Sequence, residues 1–166
     1  MSEEVKIDGL QELRAALLRL PDQLQTNVLQ KALTGAANVI VADARIKAPK
    51  DTGTLQRAIF QGKSRKSTRT LAVRQIGVRS GKRERKRGRD AFYWRFIEFG
   101  HGEIKLKKDK GSLGRPGIGF FGKIVRAQPA RPFLRPAFES KKLQALNVFR
   151  LNVMAELAKI AAKVRR

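Results

Sequence analysis

The stretch Ala48-Pro49-Lys50-Asp51-Thr52-Gly53-Thr54-Leu55 separates two kinds of residue pattern, and any fold must be built around it. Pro49 cannot donate a helical hydrogen bond, and its ring disfavours the α-region for Ala48, so a helix arriving from the N-terminal side ends there. Asp51 and Thr52 carry oxygens that accept from nearby backbone N–H groups, and Gly53 is free to take positive φ. The segment predicts a turn with Gly53 in the left-handed region. Beyond it the chain re-enters as a strand through Leu55.

Before the turn the pattern is helical. Val5-Lys6-Ile7 reads as a short edge strand, and Asp8 with Gln11 forms a capping box for a helix carrying Leu10, Leu13, Leu17 and Leu20. Pro21 interrupts it and suits the first position of a second helix, with Asp22 at the positive end of the dipole. That helix is expected from Pro21 to Lys47, about 40 Å long. Its stripe is Leu24, Val28, Ala32, Gly35, Val39, Ala42 and Ile46, flanked by Leu29, Leu33, Ala36 and Ile40. The small residues at its middle let another backbone approach closely, so it packs on more than one side.

After the turn, Leu55–Gln61 and Leu71–Arg79 read as two strands joined by a basic turn around Lys63 to Arg69, with a β-bulge near Gln75 where the alternation changes phase. Residues 80–90 read as a basic mobile loop: seven cations from Arg79 to Arg89 face Glu84 alone. Residues 90–100 read as a short helix in preference to a strand, with Asp90 as N-cap, Phe92, Phe96 and Phe99 on one face, and Gly100 as the residue past its end. Residues 102–122 form a second basic mobile loop, rich in glycine and lysine, and Phe120-Phe121 with Lys123–Arg126 supply a further strand. Gln128 to Arg135 is extended because of Pro129, Pro132 and Pro136. Pro136 then opens the last helix, with a stripe of Leu143, Leu146, Phe149 or Arg150, Val153, Leu157, Ile160 and Val164. The fold class is α+β: a small antiparallel sheet packed by a long N-terminal and a C-terminal helix, within a single domain spanning residues 1–166.

Charge and composition narrow the function. A net charge of +23 directs the surface toward polyanions or acidic proteins. The absence of cysteine removes disulfides, thiolate metal sites and Cys nucleophiles, and no stretch is long enough to span a membrane. His101, the sole histidine, reads as a structural residue, so neither a His-rich metal site nor a Ser-His-Asp triad can be assembled. Glu98, between Ile97 and Phe99, reads as the partner of an arginine at the rim of the core. The glycines from Gly111 to Gly122 match no phosphate-binding fingerprint. The chain reads as a non-enzyme without cofactor. Lys82, Arg83, Arg85, Lys86, Arg87 and Arg89 are the candidate contacts to DNA or to a protein partner. The run carries no aromatic for base stacking, and its glycines suit folding on contact, which favours an acidic protein surface over DNA.

Three segments in order, Ala48-Pro49 with Asp51-Thr52-Gly53 and Leu55, Phe96-Ile97-Glu98-Phe99-Gly100, and Pro132-Phe133-Leu134-Arg135-Pro136 before a C-terminal helix, resemble the HK-type phage tail-component family, that of gene product ten of phage HK ninety-seven. The resemblance implies a structural virion protein made in the host cytoplasm, forming a ring of six at the head–tail junction or the top of the tail tube. Its partners would be further copies, the adjoining head-closure and tail-tube proteins and the packaged DNA. The pattern departs at one place: His101 and a long basic insertion follow Gly100, where the family has Thr and a short linker. A free-standing nucleic-acid-binding protein is the other reading, on charge alone.

Overall fold

Pro21 and Pro49 set the bounds of the long N-terminal helix. The computed structural model describes residues 10–18, 20–68, 71–105, 114–115, 119–120 and 124–164, so the strand and cap expected over Val5 to Asp8 lie outside the described residues. Helix α1 spans Leu10–Leu18 and α2 spans Asp22–Lys47. Pro21 is the residue before α2 rather than its first turn, its carbonyl accepting from Leu24 and Gln25. At the other end Ala48 turns extended, as the following proline requires.

Helix α2 buries Val28, Ala32, Ala36, Ile40 and Ala44, a row at four-residue spacing that Ala48 continues past its end, with Ala37 and Val41 beside it. The expected stripe holds only in its middle, at Val28 and Ala32, and fails at both ends, where Leu24, Ala42 and Ile46 are exposed. The reason is geometric. A row at i+4 drifts by about 40° per step around a 3.6-residue helix, so α2 turns its buried face from the C-terminal helix toward the sheet.

Gly53 has φ 71, in the left-handed region as expected. The next element is a correction: Leu55 opens no strand but lies in helix α3, Thr54–Ala58, which leads into β1, Ile59–Lys63. Leu55 and Ala58 are both buried, and a three-residue separation puts them on one face of a helix but on opposite faces of a strand. Gly53→Val is expected to cost about 1–3 kcal/mol for the left-handed backbone alone, measured as a drop in the urea midpoint. An unchanged midpoint would contradict it.

Strand β1 pairs antiparallel with β2, Arg74–Val78, in an unbroken register from Ile59↔Val78 to Lys63↔Arg74. The ladder contains no bulge. Leu71 to Val73 belong to the turn before it, where Ser67 Oγ donates to Val73 O and accepts from Val73 N, and this is why the alternation changes phase. Past β2 come α4 at Lys82–Arg85 and α5 at Trp94–Phe99. The chain then forms two minimal ladders, β3 (Ile104–Lys105) with β6 (Ile124–Val125), and β4 (Gly114–Arg115) with β5 (Gly119–Phe120).

The last helix, α6, runs over Leu134–Val164, starting two residues before Pro136. It packs antiparallel to α2: Lys31 meets Glu156 at 2.7 Å, Gly35 faces Asn152, and Asp43 accepts from Ser140 at 3.0 Å. A Cβ on Gly35 would meet Asn152 Nδ2, the end of a side chain, with Val148 at ordinary contact distance beyond it, so Gly35 leaves room for the Asn152 amide between the helices. α6 buries Ala137, Ala145 and Val153, with Phe149, Leu157 and Ile160 packed alongside. Leu143, placed on the inner stripe by spacing, is exposed. One core joins α2, α3, the sheet, Phe133 and the start of α6, and a second joins α1 to the far ends of α2 and α6.

Both ends of the α2–α6 pair are tied by a carboxylate. Hydrogen bonds from Lys159 and Lys31 hold Glu156 at about 2, from an ordinary 4.5. Asp43 is lowered chiefly by Lys47, against partial burial and with help from Ser140. A depressed folded-state pKa gives stability that is present above the unfolded value and lost as pH falls through the folded one. The melting temperature should therefore fall between pH 4.5 and about 2, and fall less in Glu156→Gln; equal acid sensitivity in the two proteins would refute the assignment.

Candidate functional site

The three sequence segments, far apart in the chain, meet. Helix α5 is short, and the residue it buries is its one acid: Glu98 is 5% exposed. Its Oε2 accepts from the backbone N–H of Phe133 at 2.8 Å and of Leu134 at 3.0 Å, and its Oε1 from that of Arg135 at 3.0 Å. The expected arginine partner is replaced by the N-terminus of α6. The accounting there is complete: three of the first-turn donors go to Glu98, Pro136 has none to satisfy, and Ala137 N makes the first bond, to Phe133 O. A carboxylate also matches the positive end of the helix dipole. Spacing could not reveal this, because Glu98 and its donors are 35 to 37 residues apart.

Gly100 seals the same joint. Its backbone has φ 70 and ψ 178, and a Cβ there would lie 2.7 Å from Ala130 N and 2.8 Å from Gln128 O. Arg131 N donates to Ile97 O at 2.7 Å, and His101 and Gln128 exchange a pair of backbone bonds at 3.0 and 2.9 Å. Phe133, 0% exposed, fills the core of its own chain. Arg135 points out, paired with Glu139 at 2.9 Å, and Pro132 is exposed.

On its open side the joint meets the turn after α2 across an apolar cleft of about 390 Å³. Pro49, Gly53 and Leu55 line one wall, Tyr93, Phe96 and Ile97 the other, and His101 and Val125 contribute to its rim. Burial pushes the Tyr93 phenol up, nearby Asp51 adds to this, and a hydrogen bond with Thr52 opposes it. Tyr93 thus links α5 to the turn. Phe96 borders the cleft edge-on to His101, ring centroids 5.1 Å apart, whereas Phe99 is 72% exposed. Of the three phenylalanines expected on one face, Phe92 and Phe96 line the cleft and Phe99 does not. His101 serves the backbone ladder and this ring contact.

The basic segment lies elsewhere. Residues 80–90 are not an irregular loop but hold the turn of α4, and Asp90 caps nothing in α5: its Oδ1 accepts from Gly81 N at 2.7 Å and its Oδ2 from Arg85 Nε at 3.3 Å. Glu84 lies 3.3 Å from Arg89 and 3.9 Å from Arg79. Three arginines are thereby turned inward on two acids. Lys82, Arg83, Lys86 and Arg87 are exposed. Among the described residues no acidic group lies within ion-pair distance of these four.

The architecture is that of a small α+β framework protein, organised around a packed helix pair and a backbone joint. Among the described residues no three His, Cys, Asp or Glu side chains gather into a metal-binding group, and no helix is long and apolar enough to cross a membrane. Residues 11–100 match the family model of bacteriophage HK97-gp10 tail components, over half of the chain, and the chain belongs to that family. No curated protein and no solved structure matches it. The match takes in the turn of residues 48–55 and α5, and ends at Gly100.

Proposed function

We propose that the protein is a structural ring subunit of the phage tail, standing at the head–tail junction or at the top of the tail tube, where it joins further copies, the adjoining head-closure protein and the tail-tube protein. The observation that carries this reading is the outer face of α6. Opposite the residues it buries, Leu143, Leu151 and Met154 are 56%, 65% and 52% exposed. They share one side of the helix with Ala158 and Ala161, also exposed. Exposed Asn147 and Arg150 lie among them, so the side is mixed, but apolar side chains exposed together opposite a buried face mark a contact surface. Neighbouring subunits would cover it.

Light scattering behind size exclusion tests the proposal. The wild type should run as a closed oligomer of about six copies, and Leu143→Glu with Leu151→Glu should yield a monomer with unchanged circular dichroism, since both side chains are exposed. A wild-type monomer at tens of micromolar, or a double variant that still assembles, would overturn it.

A further inference from the structure

The two inward acids of residues 79–90 divide its cations by helical phase. From Lys82 to Arg87 the chain follows a helical course, with Arg87 N bonding to Glu84 O and Gly88 N to Arg85 O. At about 100° per residue, positions 82, 83, 86 and 87 fall on one side and 84 and 85 on the other. Glu84 and Arg85 face the body of the protein, where Arg79, Arg89 and Asp90 meet them. The outward side carries Lys82, Arg83, Lys86 and Arg87, four cations and no apolar side chain.

We infer that this knuckle is a sequence-independent contact for the phosphate backbone of duplex DNA. Three observations select that ligand. The cations are held on an already folded turn, so no ordering on contact is needed. Their face has no apolar residue, whereas a specific protein interface is built on an apolar core with anchoring side chains; a phosphate contact needs only positive charge and donors. No aromatic stands among them to stack an unpaired base, which directs them to a duplex rather than to a single strand. The two acids of the segment itself, Glu84 and Asp90, are already engaged by Arg79, Arg85 and Arg89. The inference goes beyond the ring reading and stands without it.

The test is fluorescence anisotropy of the purified full chain on two labelled 30-base-pair duplexes of unrelated sequence, titrated with salt. Each phosphate neutralised contributes about 0.9 to the slope of log K against log salt. Replacing Lys82, Arg83, Lys86 and Arg87 with Ser should flatten the slope by about 2–4 and lower affinity at least about tenfold for both duplexes. Arg83→Lys with Arg87→Lys should keep the wild-type slope. A control set, Lys63→Ser, Arg65→Ser and Lys66→Ser in the β1–β2 turn, should change it by less than half as much. An unchanged slope in the four-Ser protein, or an equal change in the control, would overturn the site in favour of undirected charge. Binding to polyglutamate that outcompetes the duplex at equal charge would overturn it in favour of an acidic protein partner. Oligomeric state measured on the same samples separates these outcomes from failure of the ring.

Discussion

Replacing Glu98 with alanine is expected to destabilise the protein by about 3–5 kcal/mol, because it strands the buried backbone N–H of Phe133 and the part-buried N–H groups of Leu134 and Arg135 at once. Each unpaired buried donor costs about 1–3 kcal/mol, and the lost dipole interaction adds to the sum. Glu98→Gln keeps the shape and one acceptor but turns an amide N–H₂ toward a donor, so about half of the loss should remain. Urea denaturation followed at 222 nm measures both. If the alanine variant unfolds within about 0.5 kcal/mol of wild type, the carboxylate does not hold the start of α6.

Gly100→Val should cost about 4 kcal/mol or more. Its φ and ψ lie in a region almost confined to glycine, worth about 1–3 kcal/mol, and the atoms its Cβ would strike belong to the backbone of residues 128–130. Relief would require opening the His101–Gln128 bond pair. Gly88 is the control: it also has positive φ, 65, but nothing lies within 4 Å of its Cβ position. Gly88→Val should therefore show the backbone term alone, and equal losses at the two sites would show that the crowding at Gly100 is not what matters.

The features legible in the sequence were those fixed by local chemistry. Two prolines bounded α2 to within a residue, Gly53 announced its left-handed backbone, and the aromatic run from Trp94 to Phe99 declared its helix by ending on Gly100. What escaped was set by distant partners. Glu98 looked like half of an ion pair because its real partners are main-chain donors, which leave no trace in side-chain pattern. Helix α6 begins before Pro136 because that carboxylate, not the proline, satisfies its first turn. α3 escaped because five residues are too few to show a period. In the basic segment the count of cations was plain, but only the helical phase of α4 separated the four free ones from the three engaged by Glu84 and Asp90.

The bond pair between His101 and Gln128 also bears on how such a chain can change over evolution and under engineering. The backbone leaves the framework at His101 and returns to it at Gln128, with Ile104 opposite Val125 and Lys105 opposite Ile124 just beyond. Whatever length is spliced between Lys105 and Ile124 begins and ends at one fixed gate, and the entropy of closing a loop grows only with the logarithm of its length. Doubling the excursion costs about 0.6 kcal/mol. A chain of this design can thus lengthen, shorten or recharge the segment while the joint behind it stays the same. The same gate offers a grafting point, where a folded tag with neighbouring termini could be carried without touching the core.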